Sequence, residues 1–268
     1  MQDFVKEYGV EELVQINEIF GTLNFARYTP GYLHEQLERW NNPDEVVKSV
    51  AFTAHLDHNG AFGGPLLDDK DESTKKFRDD DMATKFGPEG LFCFEGGSFE
   101  DARRAAVRVA QRERRAGRQP DVKTAVIYGH ANPRGIHLGF RHDGEGRRVV
   151  HEETGGRIPE GITVKSLESA YENHTKVQLV VQQLLGPNCR FIFSACSAGG
   201  VPKPLEGDEH QGVRRNLGET FSIVYGLRVD ASPVVSYGFI VEPNGDVMYE
   251  GRDEQNSREM YAANVYVP

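Results

Sequence analysis

Two short apolar runs constrain this chain more than any other part of it: TAVIYGHA at 124–131 and RFIFSACS at 190–197. Each is continuously hydrophobic, without polar alternation, which is the pattern of a strand buried on both faces of a sheet. Each opens into small residues around one reactive side chain, His130 in the first and Cys196 in the second. Between them SLESAYENHTKVQLVVQQLLG (166–186) reads as a helix. A strand, a helical crossover and another strand make a parallel pair, and side chains leaving the carboxyl ends of parallel strands share one edge of the sheet. His130 and Cys196 are therefore expected over one crevice.

The same alternation runs through the chain. KSVAFTAHL (48–56), LFCFEGGS (91–98) and RVDAS (228–232) read as further strands, and FEDARRAAVRVAQRERRAG (99–117) and VRRNLGETFSIVYG (213–226) as helices. Ser98 followed by Asp101 is a near capping-box pattern for the first of these helices. IHLGF (136–140) and RRVVHEE (147–153) suggest a hairpin or two short extended pieces around Asp143-Gly144, and YGFIVEPNGDVMYEG (237–251) a hairpin around Asn244-Gly245. The predicted class is α/β, with a mainly parallel central sheet, helices on both faces and a C-terminal β-hairpin. Residues 1–46, with EELVQINEIF and GYLHEQLERW, read as a helical leader or appendage, and 47–268 as one domain. The polar stretch 63–90 and GGVPKPLEGDEHQG (199–212) read as loops.

Charge and composition remove several function classes. A formal net charge of −10 argues against general nucleic-acid binding. No apolar run approaches the ~20 residues of a membrane span. The opening MQDFVKEYGVEEL is mixed and acidic, unlike a signal peptide. Three cysteines, Cys93, Cys189 and Cys196, form no metal-type pattern and no even framework, so a reducing, cytoplasmic setting is expected, with Cys93 and Cys189 as small core residues.

Cysteine and histidine together suit nucleophilic catalysis. The thiolate attacks, and a nearby imidazole takes the thiol proton and returns it to the leaving group. Small residues around Cys196 leave room for a substrate backbone and expose N–H groups for an oxyanion. A rival constellation is AHLDHNG (54–60), where His55, Asp57 and His58 could ligate zinc together with His130. The metallo-hydrolase version of that pattern needs a histidine two before His55, where Thr53 stands. A cysteine phosphatase would need an arginine where Pro202 stands.

GHANPRGIHLG (129–139) and SACSAGG (194–200) resemble the histidine and cysteine motifs of the caspase-like clan of cysteine peptidases, which includes caspases, metacaspases, gingipains and separase. GLRVDAS (226–232), followed by the Asn244-Gly245-Asp246 hairpin, resembles the end of the self-processing protease domains of RTX and clostridial toxins. The resemblance implies a caspase-like three-layer sandwich and hydrolysis of peptide bonds, with self-cleavage in a toxin, effector or defence setting. It implies Cys196 as nucleophile, His130 as general acid/base, and the backbone N–H groups of Cys196 and Ala131 as oxyanion donors. Ala131 departs from the glycine usual after the clan's histidine, and an added methyl narrows a tight backbone approach. That departure keeps a catalytically inactive binding module as an alternative, beside the metal-dependent hydrolase.

Two further residues bear on the substrate. Members that cut after Arg or Lys often carry an acidic residue two before the cysteine, and here that position is Ser194. An apolar or small residue before the cleaved bond, or an acidic one met by Arg134, stays open, and the toxin-like resemblance favours leucine. No cofactor is expected, inositol hexakisphosphate included, because the arginines are scattered in sequence. The expected partners are a protein or peptide substrate and an activating ligand or protein, in a cytoplasm or in a host cytosol after delivery. Segment 199–212 resembles the clan's activation loop.

Overall fold

The computed structural model describes residues 2–21, 28, 30–54, 85–86, 89–140, 159–171, 174–201, 215–252 and 258–268. Six strands form the central sheet: β1 (Ser49–Ala54), β2 (Leu91–Gly96), β3 (Thr124–Tyr128), β7 (Arg190–Ser194), β8 (Val229–Ala231) and β12 (Asn264–Tyr266). Their order is β12-β8-β7-β3-β1-β2, and every neighbouring pair is parallel except β12 with β8. The chain is thus α/β with a mixed, mostly parallel central sheet, as its apolar runs predict.

Side-chain alternation assigns the two faces. Val50 and Phe52, their cross-strand partners Phe92 and Phe94, Ala125 and Ile127, and Phe191 and Phe193 share one face. The helices over its centre are α4 (Phe99–Arg115), α6 (His174–Leu185) and α7 (Leu217–Tyr225). Phe221 of α7 meets Phe191 and Phe193 at ring distances of 5.0 Å each. On α4 the buried residues include Ala105, Val109 and Ala110, small enough to let the helix lie close, while Arg103 and Arg104 stay exposed beside Glu100. The Ser98–Asp101 pattern is a complete capping box: the Ser98 hydroxyl accepts from the Asp101 amide, and the Asp101 carboxylate accepts from the Ser98 amide.

The opposite face is met by a second sheet, order β11-β10-β9, from β9 (Val235–Val241), β10 (Val247–Arg252) and β11 (Arg258–Ala262). Phe239 of β9 contacts both Tyr128 of β3 and Tyr249 of β10, at 6.3 and 6.1 Å. The expected C-terminal hairpin is β9–β10, turning at Asn244-Gly245, and the structure adds β11 to it. Helical cover on the described residues is therefore heaviest on one face, with sheet packing on the other.

A third sheet, β4-β5-β6, carries the histidine motif: β4 (His130–Asn132), β5 (Gly135–Phe140) and β6 (Pro159–Thr163). Sequence pairs 136–140 with 147–153, but β5 lies between β4 and β6, and RRVVHEE falls outside the described residues. Of the helix expected over 166–186 the described residues form α5 (Val164–Tyr171) and α6, with 172–173 outside the described residues, and α7 begins at Leu217, where Asn216 caps it.

The N-terminal helices α1 (Gln2–Tyr8), α2 (Val10–Phe20) and α3 (Pro30–Asn41) join the same core. Phe20 and Trp40 pack on Phe92 and Phe94 of the outer strand β2. Gln36 closes the strand's edge: its side-chain oxygen accepts from the Cys93 amide at 3.0 Å, supplying a partner that an outermost strand otherwise lacks. Arg112 of α4 donates to the carbonyls of Arg39, Trp40, Asn42 and Glu45 and to the Glu113 carboxylate, so its guanidinium satisfies the open carboxyl end of α3.

Candidate functional site

Parallel pairing sets the relation between the histidine and the cysteine. The β3–β7 ladder ends at Tyr128 opposite Ser194, and His130 and Cys196 each follow two residues later. Neither strand is interrupted, so both side chains leave the same edge of adjacent strands at matching depth. The Gly129 amide reaches back to the Ser194 carbonyl at 3.4 Å, holding the two exits together. Both His130 and Cys196 are half-buried.

The histidine stands on a tight hairpin. Asn132 opposite Gly135 closes the two-residue loop Pro133-Arg134, which makes that pair the mutually hydrogen-bonded one. Alternation then places the Ala131 N–H away from β5, where an oxyanion could use it. Ala131 lies opposite Ile136, which is buried, and packs against the core. His130 lies opposite His137, on the other face of the ribbon. The methyl of Ala131 thus points to the core side, away from the face carrying His130.

Glycines make this crowding workable. A Cβ on Gly129 would sit 2.7 Å from Ile136 Cγ1, one on Gly139 would strike the Gly97 carbonyl, and one on Gly161 the Ile136 carbonyl.

The cysteine stands at the head of the turn 196–199, which is held by backbone bonds. The Ser197 amide donates to the Val234 carbonyl and the Gly199 amide to the Ser232 carbonyl, both at 2.8 Å. The Gly200 amide donates to the Ser197 carbonyl at 2.9 Å. The Gly199 carbonyl accepts from Asn216 Nδ2, Asn264 Nδ2 and the Tyr266 hydroxyl, at 3.0, 2.8 and 3.0 Å. Ser197 carries the one positive φ among described non-glycine residues, 53°, so the turn is tightest directly after the nucleophile candidate. The amides of residues 197, 199 and 200 are thus committed within the turn, and the Cys196 amide acts on the thiol itself.

The thiol of Cys196 donates to the Ser236 carbonyl at 3.4 Å, and burial pushes it above the usual cysteine range. Cys189 is buried more deeply and is pushed up to about 12. Cys93 is buried in β2. Neither has the access of Cys196.

The other expected site residues fall around this pair. Ser194 is the last paired residue of β7, half-buried and on the β9 side of the sheet with Tyr128. Arg134 sits at the tip of the β4–β5 hairpin. Its carbonyl accepts from the Val164 amide, and the neighbouring Pro133 carbonyl accepts from the Leu217 amide, both at 2.8 Å. Gly218 in turn donates to the Ala198 carbonyl at 3.1 Å. The hairpin tip and the cysteine turn are therefore tied to the same first turn of α7. His55, Asp57 and His58 lie outside the described residues, as does most of 199–212. Among the described residues, no three histidine, cysteine or acidic side chains converge as a metal site, and no helix is long and apolar enough to cross a membrane.

Sequence reasoning missed the segment 232–236, whose carbonyls hold the cysteine turn, and Tyr249 beneath it. A signal existed: RVDAS is a third apolar strand, and its exit belongs at the same sheet edge as those of β3 and β7. No family model matches this chain, and neither a curated protein nor a solved structure matches it.

Proposed function

We propose that this chain is a caspase-like cysteine endopeptidase in which Cys196 and His130 form the catalytic dyad. The observation that carries this is the equal displacement of both residues beyond the Tyr128–Ser194 pair on adjacent parallel strands. The parallel sheet, the helices and the hairpin following β8 agree with the fold that the two motifs resemble.

In the proposed reaction His130 takes the Cys196 proton and the sulfur attacks the peptide carbonyl carbon. The carbonyl oxygen gathers negative charge, which the N–H groups of Cys196 and Ala131 are disposed to bind. Collapse breaks the C–N bond as the imidazolium returns its proton to the leaving amine, leaving a thioester. Water, deprotonated by His130, then cleaves the thioester and restores the thiol. The β9 strand borders the thiol through Ser236 and is the outer strand of its own sheet, which suits an extended substrate. Self-processing, and action in a toxin, effector or defence system, belong to the same proposal.

A binding module without catalysis is the second reading, favoured by the thiol's burial and its bond to Ser236. Intact mass spectrometry of the purified chain, alone and with a mixed peptide library, tests the proposal against Cys196→Ala. Cleavage confined to the unsubstituted chain supports it; equal cleavage by both, or a Cys196 inert to thiol-reactive peptide probes, overturns it.

A further inference from the structure

Tyr249 lies outside the dyad and outside the motifs that point to it, yet it is fully buried directly beneath the cysteine turn. Its hydroxyl lies 2.9 Å from the Phe193 carbonyl of β7 and 3.0 Å from the Asp230 carbonyl of β8. One proton is shared between two backbone acceptors on neighbouring strands. The β7–β8 ladder ends at this level, with Phe193 opposite Ala231. Beyond it β7 enters the cysteine turn and β8 enters 232–236, the segment whose carbonyls receive Ser197, Gly199 and the Cys196 thiol. The hydroxyl therefore stands where the two strands part.

The strand carrying Tyr249 also sets the direction of the Ser236 carbonyl. Glu250 pairs with Gly238 and Gly251 with Ser236, so Tyr237 is an extra residue, a bulge in β9. Glycine is required opposite it, because a Cβ on Gly251 would strike the Val234 side chain. The strand below is anchored too: Arg190 of β7 donates to the Gly245 carbonyl of the hairpin turn at 2.6 Å and pairs with buried Asp230.

We propose that Tyr249 is a positioning residue for Cys196: its hydroxyl fixes the parting of β7 from β8, and the Tyr237 bulge aims the Ser236 carbonyl at the thiol. This rests on the dyad reading for its role in catalysis, but the geometric effect on the thiol does not depend on peptidase activity. Without the hydroxyl, two buried carbonyls lose a donor and the strand exits loosen.

The test measures the pH dependence of Cys196 alkylation in the full chain, by mass spectrometry, for wild type, Tyr249→Phe and a chain lacking Tyr237. Tyr225→Phe, a buried tyrosine on the helical face, is the control for a tyrosine hydroxyl remote from the turn. The expected result is labelling about tenfold faster at pH 8 in Tyr249→Phe, with its midpoint moved down toward that of an ordinary cysteine, and wild-type behaviour in Tyr225→Phe. Peptide cleavage should fall as labelling rises while buried Cys93 and Cys189 stay unlabelled, because opening through loss of stability alone would expose them as well. If Tyr249→Phe does not fold, the chain without Tyr237 carries the test. Unchanged midpoints in every folded variant overturn the positioning role. A shifted midpoint in a protein that cleaves no peptide overturns the peptidase reading and leaves the positioning role standing.

Discussion

The thiol of Cys196 is bonded to the carbonyl of Ser236, 40 residues further along the chain, at 3.4 Å. The strand that ends in the cysteine is thus joined at its tip to a strand of a different sheet. Reactivity here depends on how three strand exits meet.

Native alkylation should single out Cys196. Burial raises its thiol above the ordinary ~8.5, so labelling should climb at a higher pH than for an unfolded cysteine. Cys189, at about 12, and buried Cys93 should react only on unfolding. Peptide mapping after a pH series checks the order. Cys189 labelling at the rate of Cys196 would contradict the assignment of burial.

Cys189 should also bend the alkaline limb of stability. Its folded value lies above the unfolded one, so its contribution is intact below about 9 and is lost as pH rises toward about 12. At pH 10 the loss should be about 2 kcal/mol. Urea unfolding of wild type and Cys189→Ala across pH 7 to pH 10 measures it, and the variant should lack that part of the slope.

Arg112→Ala should cost about 1–3 kcal/mol, because it strips donors from the carbonyls at the end of α3 and leaves buried Glu113 with Arg118 as its remaining cation. Arg112→Lys should recover little, since one ammonium cannot span carbonyls reached by a forked guanidinium. Equilibrium denaturation of both variants gives the comparison.

Deleting residues 1–46 should abolish soluble folded protein. The cut removes Phe20 and Trp40 from Phe92 and Phe94, and Gln36 from the Cys93 amide. Gln36→Leu alone should cost about 1–3 kcal/mol through the buried amide left unpaired. Soluble yield and thermal unfolding report both. A cooperative, soluble 47–268 fragment would make α1–α3 a detachable unit.

Gly161→Ala should disturb the site from a distance. Its methyl meets the Ile136 carbonyl, and β5 must shift, carrying the strand paired with His130. A cost of about 1–3 kcal/mol is expected. Under the dyad proposal peptide cleavage should fall further than that of Gly31→Ala, whose Cβ meets only the Tyr8 hydroxyl at 3.8 Å. Activity and unfolding measured together separate the two effects.

Much of this arrangement was legible in the amino acids. Continuous apolar runs identified the parallel strands, Ser98 and Asp101 marked the start of α4, and the small residues around His130 and Cys196 marked the strand exits. These are local signals, carried by residues adjacent in sequence. The β9–β11 sheet's position on one face of the central sheet, the Gln36 cover on β2, and the Ala131 methyl turned toward Ile136 were not legible. Each depends on register between distant segments, where a shift of one residue reverses the face that a side chain occupies. Sequence alone determined which residues could do chemistry and which strands would carry them. Only the tertiary structure decided that 232–236 holds the cysteine turn and that Tyr249 lies beneath it, because backbone carbonyls carry no sequence signature and their direction is set by strand pairing and by one bulge.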